Sequence, residues 1–319
     1  MILAGSPSVL LAGSPSMLDP HGTEASRLAG VWWLAFGMAV VVYVVVAGFI
    51  LRGVLRGRRS EQGRSSRISE GAFIWIGGII VPSLILLVLA VVTVQATTHL
   101  RRADKNPLSV EVVGKRWWWE VRYPSLGVTT ANEIHIPVGQ PIDLGLDSAD
   151  VIHSFWVPQL AGKLDNIPGQ HNVLRMKATT AGVYRGQCAE FCGVQHAKMG
   201  VLVIAESPAT FARWASQHQH APSPPDGDET ARGQLVFMSS PCAGCHTIKG
   251  TQADGTRGPD LTDVGSRLWL GAVTVHNTRN NLEAWITDPQ LVKPGVLMPP
   301  TPLPPDQLRA LVAYLESLR

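Results

Sequence analysis

The chain has 319 residues, enough for about two domains, with 45% hydrophobic residues, only 16% charged residues and a formal net charge of +3. Much of that charge comes from one short arginine-rich stretch. Since no basic and aromatic side chains interleave, nothing argues for nucleic-acid binding. There is also no Ser-His-Asp array, phosphate-binding loop or carboxylate pair at catalytic spacing, so bond-making or bond-breaking by this chain alone is not encoded.

Residues 1–30 begin with a repeat, LAGSPS at 3–8 and again at 11–16, without the charged start of a signal peptide. They read as an extension or a mis-set start and receive no function. Uncharged runs at 31–51 and 71–98 follow. Each exceeds the ~20 residues that cross a bilayer's hydrocarbon core. Trp32, Trp33 and Trp75 lie near the ends of these runs, where aromatic rings favour the membrane interface. Core helices are the competing reading, and the uncharged length argues against it. Pro82 would break a soluble helix but is tolerated in a membrane one. Between the runs lie Arg52, Arg56, Arg58, Arg59, Arg64 and Arg67. This cation excess assigns the loop 52–70 to the cytoplasm and both termini to the outside.

From 100 to 207 short β-rich stretches alternate with turns, at 109–113, 117–123, 133–137, 143–146, 172–176, 182–187 and 200–205. That rhythm predicts an all-β sandwich. A short amphipathic helix is predicted over 208–217. The polar, proline-rich run from His218 to Asp228 reads as a linker of semi-rigid character, with His218 and His220 as solvated side chains. The remainder, 229–319, is expected to be an all-α domain. It closes on a helix whose Leu308, Leu311, Val312, Leu315 and Leu318 recur at helical spacing.

All four cysteines fall in two motifs. Cys242, Cys245 and His246 form C-x2-C-H, the attachment pattern of c-type haem. There two thiols take the vinyl groups and the imidazole takes the iron. The sixth ligand is expected to be Met298, presented by the prolines of GVLMPP, with His276 as the competing candidate. A disulfide or thioredoxin-like pair is the alternative, but no βαβ pattern surrounds the motif. Cys188, Cys192, His196 and Met199 form C-x3-C-x3-H-x2-M. Imidazole, thiolate and thioether together mark copper, and two thiolates four residues apart can bridge two copper ions. A structural disulfide is the other use of such a pair. The second imidazole is expected from His153, at the end of an apolar, β-like stretch.

With these residues in place the chain resembles cytochrome c oxidase subunit II from about residue 30 to 207, followed by a fused cytochrome c domain. The resemblance implies a Greek-key cupredoxin-like domain at 100–207 and a dinuclear CuA copper centre. Its ligands would be His153, Cys188, Cys192, His196, Met199 and the backbone carbonyl of Glu190, with the Glu190 carboxylate facing a magnesium ion shared with the catalytic subunit. Gly258-Pro259-Asp260-Leu261 resembles a haem-edge loop. Two departures stand out. Relatives often carry G-H-Q-W-Y-W, whereas this chain has Lys115 and Arg116 beside Trp117, which by the resemblance would be the position at which electrons enter. A soluble cytochrome with a cationic rim would be repelled there, while Asp226, Asp228 and Glu229 would admit the tethered haem domain. The acidic residue expected three positions before Trp75 is Ala72, and the nearest acid is Glu70.

The implied function is electron input to an oxygen-reducing enzyme. Electrons would pass from cytochrome c or a cytochrome bc complex, through haem c and copper, to catalytic subunit I of a haem-copper oxidase containing further subunits. The location would be the bacterial inner membrane, with the copper and haem domains on the periplasmic side. The alternatives are the copper subunit of a nitric oxide reductase and a membrane-anchored copper chaperone, which also uses C-x3-C and a distant histidine.

Overall fold

In a computed structural model of the chain, residues 15–57, 70–100 and 105–319 are described. Arg58, Arg59, Arg64, Arg67 and most of the LAGSPS repeat lie outside the described residues. The chain forms two compact units, one of them Ser26–Ala103.

From Ser26 on, α1 (Thr23–Gly57) lies in this unit and continues the apolar run toward both its ends. The second run is built from α2 (Glu70–Trp75), a π-helical turn at Ile76–Ile80 and α3 (Val81–Leu100). The π turn sits just before Pro82, where an α-helix would lose one hydrogen bond and crowd a proline ring against the carbonyl four residues earlier. One residue of extra width relieves that crowding. None of the most apolar window of either helix is buried within the chain, so these are not core helices. An apolar surface of this extent is one that lipid, rather than water, accommodates.

The second unit contains two domains docked on each other. The first is a sandwich of ten strands: β1 (Leu108–Lys115), β2 (Trp118–Tyr123), β3 (Val128–Ala131), β4 (Glu133–Pro137), β5 (Ile142–Ser148), β6 (His153–Trp156), β7 (Leu164–Asn166), β8 (Asn172–Met176), β9 (Gly182–Cys188) and β10 (Gly200–Glu206). One sheet has the order β3-β2-β1-β5-β8 and the other β4-β10-β9-β6-β7. In β1 the alternation puts Leu108, Val110 and Val112 inside, the period-two signature of a strand with one buried face. Trp119, Ile134, Phe155, Tyr184 and Val203 fill the space between the sheets. The strands absent from the sequence reading, β3 and β7, are four and three residues long, too short for alternation to register; the β-like stretch expected to end at His153 instead begins there, as β6. Trp117, expected within a strand, immediately precedes β2. Part of the N-terminal extension belongs to this domain: His21 bonds to Gln159 and Thr179, and the Glu24 carboxylate accepts the Lys177 N–H at 2.9 Å.

After β10 comes α4 (Pro208–His218), N-capped by Ser207. His218, expected in a solvated linker, instead ends α4 half-buried: its Nδ1 donates to the Trp214 carbonyl, and its Nε2 lies 3.7 Å from Asp263. The second domain comprises α5 (Asp228–Ser239), a two-stranded ribbon of β11 (Trp269–Leu270) and β12 (Val275–His276), α6 (Arg279–Thr287), α7 (Pro289–Val292) and α8 (Pro305–Ser317). Gly233 lets α5 and α8 cross in contact, since a Cβ there would meet the Ala310 carbonyl. Leu311, Val312, Leu315 and Leu318 of the predicted stripe are buried with Phe237, Leu282 and Ile286, and Leu308 packs against them half-buried.

Polar bonds tie the two domains together. The Gly200 N–H donates to Ala272 at 3.0 Å, Thr130 donates to Asp263 at 2.7 Å, and Glu133 accepts the N–H groups of Leu268 and Trp269. Small apolar contacts, Trp118 with Ala272 and Leu202 with Val273, fill the space between them.

Candidate functional site

Strand β9 ends on Cys188, and β10 begins one residue after Met199. The connecting loop therefore has both ends fixed in one sheet, and His153 opens the neighbouring strand β6, whose Phe155 pairs with Cys188. The Cys188 and Cys192 sulfurs lie 3.8 Å apart. That is far beyond the ~2.05 Å of a disulfide bond, and both thiols are free.

Each sulfur has its own outer donors. Cys188 Sγ is 3.9 Å from His153 Nδ1 and 3.2 Å from the Glu190 carbonyl oxygen. Cys192 Sγ is 3.7 Å from His196 Nδ1 and 3.8 Å from Met199 Sδ. His153, Cys188, Cys192 and Met199 are buried, whereas Glu190 is exposed. Donors of this softness, converging on a buried sulfur pair, fit copper.

Electrostatics favour a charged sulfur. The Cys192 thiol bonded to Cys188, aided by His153, holds Cys188 well below the usual thiol range despite burial. The same bond, with burial, pushes Cys192 up. Burial alone would depress the His153 imidazolium, but bonds to Cys188 and Asp150 raise it instead. Asp150, three residues before His153, was missed in the sequence. Its carboxylate accepts from His153 Nε2 at 2.8 Å and from the amides of Arg116 and Val151. Despite partial burial, these bonds hold it below the ordinary carboxylate range. The bond holds a proton on Nε2, so Nδ1, which faces the Cys188 sulfur, is the ring atom that would ligate a metal.

Trp117 does not present its ring to solvent: it is only 6% exposed. Its indole Nε1 donates to the Cys192 carbonyl at 2.9 Å, and its own carbonyl accepts from Lys293 of the second domain at 2.8 Å. The basic pair beside it is locally matched, Lys115 with Glu120 at 2.5 Å and Arg116 with Asp150 at 3.6 Å. Described contacts of the second domain with the first include Thr256, whose carbonyl accepts from Lys115 at 3.4 Å, Asp263, Leu268 to Val273 and Val292 to Gly295.

In the second domain Cys242 lies in a 3-10 turn, Pro241–Gly244, that Cys245 caps. The His246 N–H donates to the Cys242 carbonyl at 2.9 Å. His246 Nδ1 donates to the Pro259 carbonyl at 2.7 Å, leaving Nε2 for a ligand. A Cβ at Gly258 would meet the His246 ring, so glycine is required there. Burial, with Arg267 adding to it, lowers the His246 imidazolium despite the Pro259 bond, which keeps the neutral, ligating form. This donor set fits an attached haem. Met298 is half-buried in the loop after α7, its carbonyl accepting from Gln290. His276 is exposed, its ring tilted 31° against that of Trp269 with centres 3.8 Å apart.

Residues 127–206 match the family described as cytochrome c oxidase subunit II, periplasmic domain, and residues 230–319 match cytochrome c. A cytochrome c oxidase subunit 2 from Alkalihalophilus pseudofirmus is 33% identical over 312 residues, covering 95% of this chain and 90% of that protein. Another, from Bacillus sp. strain PS3, is 34% identical over 288 residues, covering 83% and 80%. The crystal structure of the periplasmic domain of subunit II of the cytochrome oxidase of Bradyrhizobium japonicum is 32% identical, covers 38% of this chain and 96% of that one, and has a TM-score of 0.35.

Proposed function

The chain belongs to the cytochrome c oxidase subunit 2 family, and on that premise we propose that it holds a dinuclear copper centre on His153, Cys188, Cys192, His196, Met199 and the Glu190 carbonyl. We propose equally that haem c is attached to Cys242 and Cys245 with His246 and Met298 as axial ligands. The chain is the electron-input subunit of a haem-copper oxidase, an oxidoreductase complex whose catalytic subunit I reduces oxygen. Neither the nitric oxide reductase nor the copper chaperone reading gains support from these relatives.

When bound, copper and haem supply one-electron redox chemistry. The chain's residues prepare for it: Asp150 holds the His153 proton on Nε2, Pro259 holds the His246 proton on Nδ1, and burial keeps water from both thiols. The further assignments belong to the same reading. The Glu190 carboxylate faces magnesium at the contact with subunit I, and the donor is cytochrome c or a cytochrome bc complex. The domains divide at 100–207, 208–228 and 229–319. Residues 31–51 and 71–99 span the inner membrane, with both redox domains on its periplasmic side.

The observation that carries the copper proposal is the 3.8 Å sulfur pair flanked by separate outer donors. Copper analysis of the fully loaded chain should give two ions, with a mixed-valence resonance showing more hyperfine lines than one copper produces. Cys188→Ser should abolish the signal, and Met199→Leu should alter it while metal stays bound. A stoichiometry of one copper overturns the dinuclear reading.

A further inference from the structure

Lys293 is a lysine in the wrong kind of place. It is 1% exposed, and its ammonium donates to two neutral carbonyls, Trp117 at 2.8 Å in the copper domain and Gly271 at 2.9 Å in its own. Burying an ammonium against carbonyls alone is costly. Burial, with Lys198 nearby, accordingly pushes Lys293 down to about 7. Residues that break such rules gather at functional sites.

Its neighbours make the same connection. The Val292 carbonyl accepts from Lys198 Nζ at 2.8 Å, and the Pro294 carbonyl accepts from Gln195 Nε2. Gly295 lies so close to Val194 that a Cβ would come within 2.9 Å of it. Three successive residues, Val292 to Pro294, are thus bonded to Trp117 or to the 188–199 loop, and this segment leads directly to Met298. Trp117 in turn is bonded through its indole to the Cys192 carbonyl.

We infer that Lys293 is a positioning residue that locks the Met298-bearing segment of the haem domain onto Trp117 and the copper loop, holding the two centres at a fixed separation. Transfer between them then does not wait for diffusion on a tether. The inference rests on the copper and haem ligands proposed above.

The test uses the full-length chain in its oxidase complex, loaded with copper and haem. In Lys293→Met, amide hydrogen exchange in peptides covering 115–120, 190–199 and 290–298 should rise about tenfold or more, the factor that losing one hydrogen bond from a charged donor carries. Exchange in α8 should stay unchanged, as should the copper resonance and the haem absorption. Lys293→Arg should restore part of the protection. Electron equilibration between the centres, started by photoreducing the haem, should not depend on solvent viscosity in the wild type and should become viscosity-dependent in Lys293→Met. A loss of stability alone would not produce that change. Intact spectra with unchanged exchange overturn the inference, whereas missing copper or haem spectra in the wild type overturn the ligand reading instead. If Lys293→Met does not fold, the wild type decides: viscosity-dependent equilibration refutes a locked interface.

Discussion

At the residue scale, single atoms set what each centre can hold. Gly258 leaves the space that the His246 ring occupies, and the Pro259 carbonyl beside it decides which ring nitrogen is free. Asp150 does the same for His153, at 2.8 Å. Replacing a carboxylate that orients a ligating histidine typically weakens metal binding by roughly 10–100-fold. Asp150→Asn should therefore lower copper affinity by that order, measured by competition with a chelator, while Cys188 and Cys192 remain titratable as free thiols. Unchanged affinity would mean that the sheet alone orients His153. Asp150 was legible only in hindsight, because an aspartate three residues before a histidine is ordinary until the turn between them brings carboxylate and imidazole together.

At the element scale, the contact between the β-sandwich and the helical domain runs through buried polar groups. Glu133 opens β4 and accepts the N–H groups of Leu268 and Trp269, at 2.8 and 3.0 Å. Burial pushes its carboxyl up to about 7 from 4.5, against the lowering effect of the Trp269 N–H, Arg267 and the Leu268 N–H. A carboxyl raised on folding contributes its full stability below about pH 4.5, and that contribution is lost as pH rises toward 7. The full shift corresponds to roughly 3 kcal/mol. Unfolding free energies compared between the wild type and Glu133→Gln across pH 4.5 to 7 should diverge in that sense, the wild type losing stability relative to the variant. Parallel profiles would show that Glu133 does not titrate in this interval. The π turn before Pro82 makes a related point. The proline was plain in the sequence, but the local widening that accommodates it depends on how backbone bonds rearrange over Ile76–Ile80.

At the scale of the whole molecule, the charge pattern of the chain sets its sidedness. Arginines concentrate between two uncharged runs, and both cysteine motifs follow the second run, so the loop should stay in the cytoplasm and the redox domains should be exported. Alkaline phosphatase fused after Arg319 should be active, and the same reporter inserted near Gly63 should be inactive. The opposite pattern would invert the topology. The tethered haem domain of the sequence reading is docked in the fold: bonds from Thr130, Glu133, Gly200 and Lys293 run between it and the sandwich.

The sequence by itself determined the two metal-binding motifs, the apolar runs, the β-rich middle and the leucine stripe of α8, because each is a local pattern whose spacing carries its chemistry. His153 was reachable only by demanding a second imidazole. Tertiary structure alone decided that strands of three or four residues complete the sandwich, that Asp150 orients His153, that His218 packs half-buried beside Asp263, and that Trp117 is covered. It also decided that Lys293 bridges two domains, since the residues it joins are 176 and 22 positions away in the chain. A lysine in a loop carries no mark of its partners; they are set by which surfaces the folded domains bring together.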